Sequence, residues 1–215
     1  MNFDSLLDRF GAHSAEPVQL GMSGATVVRL TRGGETLFHK EGRSVDAEAD
    51  RLSWLTGTGF LCPRVLDRGP GWMLTSELPG RDASQPWPSQ DRMRALTAIA
   101  EGLRHLHDLP VDACPFVSPF PGVPDVVTHG DYCAPNTFVD PSTLQFRGVL
   151  DISRLGAADR YLDVALMYKS LSGGLNPQYG GPPAARFFAE TYGADPDDPR
   201  IRQYIDLDNS GAFAD

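Results

Sequence analysis

The sequence predicts an α+β protein, with its strands gathered in the first third and its helices in the remainder. Three observations carry this reading. Residues 16–42, EPVQLGMSGATVVRLTRGGETLFHKEG, hold β-branched and apolar runs broken by turn residues. Only one stretch before residue 79, VDAEADRLSWLT at 45–56, has helical character. After the break at Leu78-Pro79-Gly80, apolar residues recur every three to four positions, and a single hairpin interrupts them.

In chain order, Arg32-Gly33-Gly34 marks a turn between two strands, and Ser44 is placed to cap helix 45–56. LCPRVL at 61–66 and GWMLTS at 71–76 read as strands on either side of a Gly-Pro-Gly turn. Residues 89–108 form an amphipathic helix whose stripe is Met93, Leu96, Ile99, Leu103 and Leu106, with Ser89 as its cap. A proline-rich connection follows, holding Pro110, Pro115, Pro119, Pro121 and Pro124. NTFVD and FRGVLDI then make a hairpin across Asp140-Pro141-Ser142-Thr143, a type I turn signal. Residues 159–172 and 183–192 read as further helices.

With 215 residues, the chain can bury most of its apolar surface as one large domain or two lobes. A hydrophobic share of 41% is that of an ordinary globular protein. The formal charge of -9 argues against nucleic acid as a partner and suits a cationic small substrate. No apolar run reaches the length of a membrane span, and MNFDSLLDRF is too acidic for a signal peptide, so no membrane partner is expected. Cys62, Cys114 and Cys133 make no metal or redox pair by spacing, which fits a cytoplasmic location.

The stretch VTHGDYCAPN at 127–136 carries the chemistry. Asp131 and Asn136 stand in the spacing D-x-x-x-x-N. In protein kinases that spacing sets an aspartate against the acceptor hydroxyl and an asparagine on Mg²⁺. Asp151 follows an apolar run, where a second, charged metal ligand is needed. A nucleotide's polyphosphate requires a bridging cation, and Mg²⁺ takes oxygen ligands, so Asn136 and Asp151 suit it while Asp131 is left to accept the hydroxyl's proton. His129 is expected to brace the loop and Gly130 to permit its tight backbone. Protein kinases carry Arg at the position of Gly130, where it reads a phosphorylated activation loop, so no activating phosphorylation is expected. Upstream, the small-residue turn from Gly21 to Val27 can bring backbone N–H groups to phosphate, although a plain hairpin turn explains it as well. Lys40 on a strand and Glu48 on the following helix can pair and hold the lysine on the phosphates. Each charge alone is better read as a solvated surface group; it is their order along the chain that makes coincidence a poor account.

These residues, with GMSGATVVRL, CPRVLD, MLTSELPG, LHDLPVDACPF and the block from 126 to 167, give a chain that resembles the aminoglycoside phosphotransferases, nearest the 3′-phosphotransferase group. The resemblance implies a two-lobed, protein-kinase-like fold with a small β-rich lobe over 1–78 and a mainly helical lobe over 79–215, binding Mg-ATP in the cleft. It implies Asp131 as catalytic base, Asn136 and Asp151 on Mg²⁺, Lys40 steadied by Glu48 on the nucleotide phosphates, and Ser23 over the β-phosphate. It further implies a hinge from Ser76 to Leu78 pairing with adenine, which Phe38 stacks upon and Phe138 and Leu150 support. For Phe138 and Leu150, core packing is an equal reading. Arg154, Asp159 and Asp208 match positions on the acceptor side, and Ser153 stands where the family usually has Gly.

Between DACPF and VVTHGD the family usually carries several dozen more residues, helical and acidic, that wall the antibiotic site. Here only VSPFPGVPD stands, either a true deletion or an omitted segment. The ending YIDLDNSGAFAD also departs from the family's acidic, aromatic tail. Asp163, Glu190, Asp206 and Asp208 can attract ammonium groups, though most read as ordinary solvated carboxylates. The expected activity is therefore phosphorylation of an aminoglycoside hydroxyl. Another sugar or amino-alcohol as acceptor, and a nucleotide-binding module without transfer, stand as alternatives.

Overall fold

Burial alternates at period two along TVVRLTR and ETLFHKE, two inner strands of the first half, while WMLTS is buried on both faces. In the computed structural model, which describes residues 3–18 and 24–211, the chain opens with helix α1 (Phe3–Phe10) and strands β1 (Ser14–Val18), β2 (Thr26–Arg32) and β3 (Glu35–Glu41). Helix α2 (Val45–Gly57) and strands β4 (Val65–Gly69) and β5 (Trp72–Ser76) follow. The five strands form one antiparallel sheet in the order β1-β2-β3-β5-β4. Gly33 and Gly34 turn β2 into β3 with φ of 55° and 88°, values that side chains resist. One face of the sheet carries Val28, Leu30, Leu37 and Leu74, which α1 covers with Leu6 and Phe10. The other face carries Lys40, opposite Val27 on β2 and Met73 on β5.

Helix α2 starts at the expected residue, but Ser44 does not cap it with its side chain. Its backbone, at φ -90° and ψ 1°, lies outside the extended conformation that turns a cap oxygen toward the helix, so only its carbonyl is used, by Glu48 N–H at 3.0 Å. The strand expected at 61–66 begins at Val65 instead. Pro63 has no N–H for a ladder, and the carbonyl of Leu61 accepts from Val149 N–H at 3.2 Å, across to the later hairpin.

The second half comprises β6 (Arg81–Asp82), α3 (Arg92–His107), β7 (Val126–Thr128), β8 (Thr137–Val139), β9 (Phe146–Val149) and β10 (Gly156–Ala158), then α4 (Tyr161–Ser172), α5 (Pro182–Tyr192) and α6 (Pro199–Asn209). Helix α3 begins three residues after the expected Ser89, and neither Ser89 nor Asp91 caps it through a side chain. Trp87 is buried between Pro86 and Pro88, and the chain turns through a Pro88–Asp91 hydrogen bond of 2.9 Å before the helix can start. Leu96, Ile99, Leu103 and Leu106 are fully buried as expected. Met93 is exposed, because packing of α3 starts only at Ala95. The β8–β9 hairpin turns where predicted. Asp140 accepts from Ser142 N–H at 2.8 Å and Thr143 N–H at 3.0 Å.

The proline-rich connection runs as a strap along β10. Phe116 O accepts from Ala157 N–H at 2.9 Å, Asp125 N–H donates to Ala158 O at 3.1 Å, and Tyr204 Oη donates to Pro121 O at 2.7 Å. Phe116 also lies between Arg51 and Trp54 of α2, at 4.8 Å and 6.0 Å. The main core extends from Val45, Leu52 and Met73 through α3 and α4 to Tyr204, so it crosses the lobe boundary proposed at residue 78. No described helix is long and apolar enough to cross a membrane.

Candidate active site

The loop after β7 is fixed by buried hydrogen bonds. His129 Nε2 donates to Leu150 O at 2.9 Å and Nδ1 accepts from Asp131 N–H at 3.1 Å, partners that set the tautomer with the proton on Nε2. Gly130 has φ 83°, and a Cβ there would lie 2.6 Å from Arg154 O. Asp163, fully buried on α4, accepts from the backbone N–H groups of His129 and Gly130 at 2.7 and 2.9 Å. The same carboxylate meets His107 Nε2 at 3.1 Å, and His107 Nδ1 meets Tyr192 Oη at 2.7 Å. Asp163 is therefore a brace for the loop, and its burial removes it from the carboxylates that can attract a solvated ammonium. The signal in the sequence was an aspartate inside the apolar run YLDVALM. His107 lies in the stretch LHDLPVDACPF and Tyr192 in RFFAETYG, but no spacing in the sequence pairs either of them with Asp163.

Asn136 Nδ2 donates to both Asp131 Oδ2 and Asp131 O at 3.0 Å. Burial raises the Asp131 carboxyl above its ordinary value; His129 and Arg154 oppose this, and the charges of Asp151 and Asp208 add to it. Asp151 sits at φ 57°, just beyond the hairpin, with one oxygen 3.0 Å from Lys40 Nζ. Lys40 also holds Glu48 at 2.6 Å. Burial alone would lower the Lys40 pKa, but the two carboxylates outweigh it and raise the value.

These residues suit a hard cation. Because Asn136 Nδ2 is committed twice to Asp131, its oxygen accepts from no described residue, and the second oxygen of Asp151 is likewise without a donor among them. Both residues line the cleft. One amide and one carboxylate oxygen, with water and phosphate completing the shell, is the donor set Mg²⁺ prefers. Among the described residues no cluster of three or more His, Cys, Asp or Glu offers another arrangement.

The cleft between sheet and hairpin has a volume of about 640 Å³. Phe38 from β3, Phe138 from β8 and Leu150 line it, as do Ser76 and Leu78. The Ser76 N–H is taken by Arg64 O at 2.9 Å, so a base meeting this segment would find the N–H of Leu78 rather than that of Ser76. Ser23 lies outside the described residues. Arg154 and Asp208 line the cleft. Asp159 does not: it accepts from Tyr161 N–H at 2.8 Å at the start of α4 and pairs with Arg200 at 3.3 Å, a structural placement rather than the acceptor contact expected of it.

The profile of the phosphotransferase enzyme family (APH) matches residues 14–123 and 119–204. The two matches meet within the strap, where the family's extra residues were expected. An aminoglycoside 3′-phosphotransferase from Streptomyces ribosidificus is 34% identical, covering 85% of this chain and 89% of its own. That alignment runs over 235 positions, more than the 215 residues here, so the relative carries residues this chain lacks. Among solved structures, an aminoglycoside-3′-phosphotransferase of type VIII superposes with a TM-score of 0.82 at 30% identity, covering 95% of this chain and 97% of that one. An aminoglycoside phosphotransferase from Streptomyces rimosus, in complex with ADP and streptomycin, superposes with a TM-score of 0.75 at 30% identity, covering 94% of each chain.

Proposed function

The chain belongs to the phosphotransferase enzyme family, and from that premise we propose that it transfers the γ-phosphoryl group of Mg-ATP to a hydroxyl of an aminoglycoside. The observation that carries this reading is the convergence in one cleft of Asp131 and Asn136 with the Lys40, Glu48 and Asp151 set. The acceptor hydroxyl meets Asp131, which takes its proton as the oxygen bonds to the γ-phosphorus and the bond to ADP breaks. Lys40, steadied by Glu48, binds the nucleotide phosphates, and Ser23 is assigned to the β-phosphate. Phe38, Phe138 and Leu150 hold the base, with Ser76–Leu78 as the hinge and the Leu78 N–H as its donor. Asn136 and Asp151 would hold Mg²⁺, which when bound offsets the charge of the phosphates. Arg154, beside Asp131, and Asp208 lie on the acceptor side. Asp159 is not assigned to the acceptor, because it is spent on Arg200.

A cationic acceptor suits the net charge of -9, and the comparison enzymes named above are aminoglycoside phosphotransferases. The acceptor side offers few groups, so another sugar or amino-alcohol is the second reading. A module without transfer is disfavoured by the intact Asp131–Asn136 pair. Phosphate transfer from Mg-ATP to kanamycin, streptomycin and other aminoglycosides, run beside Asp131→Asn, tests the assignment. Removal of the base is expected to cut turnover by about 100-fold or more, with ATP binding retained. Turnover that survives the substitution would remove Asp131 from its role. No transfer to any aminoglycoside by an enzyme that binds Mg-ATP would move the acceptor to the second reading.

A further inference from the structure

An acceptor bearing several ammonium groups needs a carboxylate near the hydroxyl it presents. Five carboxylates line the cleft: Glu48, Glu77, Asp131, Asp151 and Asp208. Glu48 and Asp151 hold Lys40 at 2.6 and 3.0 Å. Asp131 is the base. Glu77 lies in the segment after β5, on the nucleotide side, where its N–H bonds to Thr36 O. Asp208 remains, and it stands near enough to Asp131 for their charges to act on each other. Acids on α4 and α6 or just before α4 are committed elsewhere: Asp163 to the loop, Asp159 to Arg200 and Asp206 to Arg202. The strap adds nothing, since no residue from 109 to 130 lines the cleft.

Yet Asp208 already has a partner. Lys169 Nζ, from the last turn of α4, lies 2.6 Å from its carboxylate on α6, and the two side chains are 31% and 25% exposed. We propose that Lys169 sets affinity for the acceptor by acting as a built-in counter-ion on Asp208, which an ammonium group of the acceptor must displace. The inference rests on the functional reading above. Its logic is exchange: an incoming ammonium gains only the difference between its own bond to Asp208 and the one Lys169 gives up. Were Asp208 unpaired, the whole attraction would count toward binding. A setting in which both side chains still reach solvent keeps the pair weak enough to break.

The test is calorimetric binding of kanamycin to the enzyme loaded with Mg-ADP, together with KM values for kanamycin and ATP. Lys169→Met, which keeps most of the stem and removes the charge, is expected to tighten kanamycin about five-fold and leave the KM for ATP unchanged. Lys169→Gln should do the same, and Lys169→Arg, which retains the pair, should give no gain. In an Asp208→Asn background the gain from Lys169→Met should vanish, because the lysine acts only through that carboxylate. A pair that serves only to join α4 and α6 would lower the melting temperature and leave kanamycin affinity where it was, and that result overturns the proposal. A gain that persists without Asp208 overturns it too. If the wild-type enzyme binds Mg-ADP but neither binds nor phosphorylates kanamycin or its relatives, the functional reading itself fails and this proposal falls with it; binding that the Lys169 variants leave unchanged removes the proposal alone.

Discussion

Asp163 touches no cleft surface, yet two backbone N–H groups of the loop after β7 depend on it. Asp163→Asn keeps the shape but points an amide nitrogen or a weaker acceptor at donors that now meet a charge. We expect the variant to lose about 2–3 kcal/mol of stability, the range for a buried bond to a charged group, and to lose turnover beyond what reduced folding explains. Tyr192→Phe removes only the far bond to His107 and should cost about 1 kcal/mol. Thermal melts and kcat measured together separate the two effects. Asp131 makes a prediction of opposite sign. Burial raises its pKa in the fold, so its ionised form opposes folding, and any stability linked to it is present when it is protonated and lost as pH rises through the folded pKa. At neutral pH, Asp131→Asn should therefore melt no lower than wild type, and above it if Asn136 reorients its amide, while transfer is lost. The same raised pKa places the acid limb of kcat/KM above the ordinary aspartate value of 3.8. Arg154→Ala, by removing a charge that lowers the Asp131 pKa, should move that limb to still higher pH in a pH–rate profile.

At the scale of elements, what could be read from the sequence was what a repeated pattern states. Four of the five apolar positions expected on α3 are fully buried, and the Asp-Pro-Ser-Thr turn falls where its composition put it. The caps did not follow: Ser44 is not in the extended conformation a side-chain cap needs, and Ser89 lies three residues ahead of α3, whose N-cap position is held by Asp91. Helices α1 and α6 lie outside the expected elements for different reasons: Phe3, Leu6, Leu7 and Phe10 repeat at helical spacing and do spell α1 in a stretch short enough to pass for a tail, whereas α6 buries only Ile201 and Tyr204, a thin stripe. The start of α6 was nonetheless written in Asp198-Pro199, whose carboxylate accepts from Arg200 N–H at 2.9 Å. Close approach between elements is a third kind of information that no pattern holds. Gly102 reads as an ordinary weak point in α3, but a Cβ there would lie 2.4 Å from the Phe146 ring on β9. Gly102→Ala, favourable in an isolated helix, should here cost about 1–3 kcal/mol through overpacking, and a melt lower than wild type would confirm that the hairpin's seat on α3 decides the sign.

At the scale of the whole molecule, the site divides by the same logic. Asp131, Asn136 and Asp151 lie within one loop and hairpin, so spacing alone could group them. Lys40 meets Asp151 only because the fold joins residues 111 positions apart, and the order of motifs stood in for that contact. Lys169 lies outside the stretches that carry the resemblance and His107 inside LHDLPVDACPF, but in both cases the partner, Asp208 or Asp163, sits on another element that spacing does not reveal. The arrangement means that a nucleotide in the cleft would touch both the five-stranded sheet and the hairpin, and so tie together the two halves of the chain. Anything that binds only the folded state stabilises it by mass action, about 2.7 kcal/mol at a hundredfold excess over Kd. For a chain of this size each kcal/mol moves the melting temperature by about 2–4 °C, so saturating Mg-ATP should raise it by about 5–11 °C. Asn136 and Asp151 enter this sum only through the metal. Chelating Mg²⁺ with excess EDTA should remove most of the shift, and Asp151→Asn should weaken it in the presence of metal. A shift of equal size with and without Mg²⁺ would show that the nucleotide is held by Lys40 and the apolar walls alone, and that the two oxygens left unpaired at 136 and 151 serve no cation.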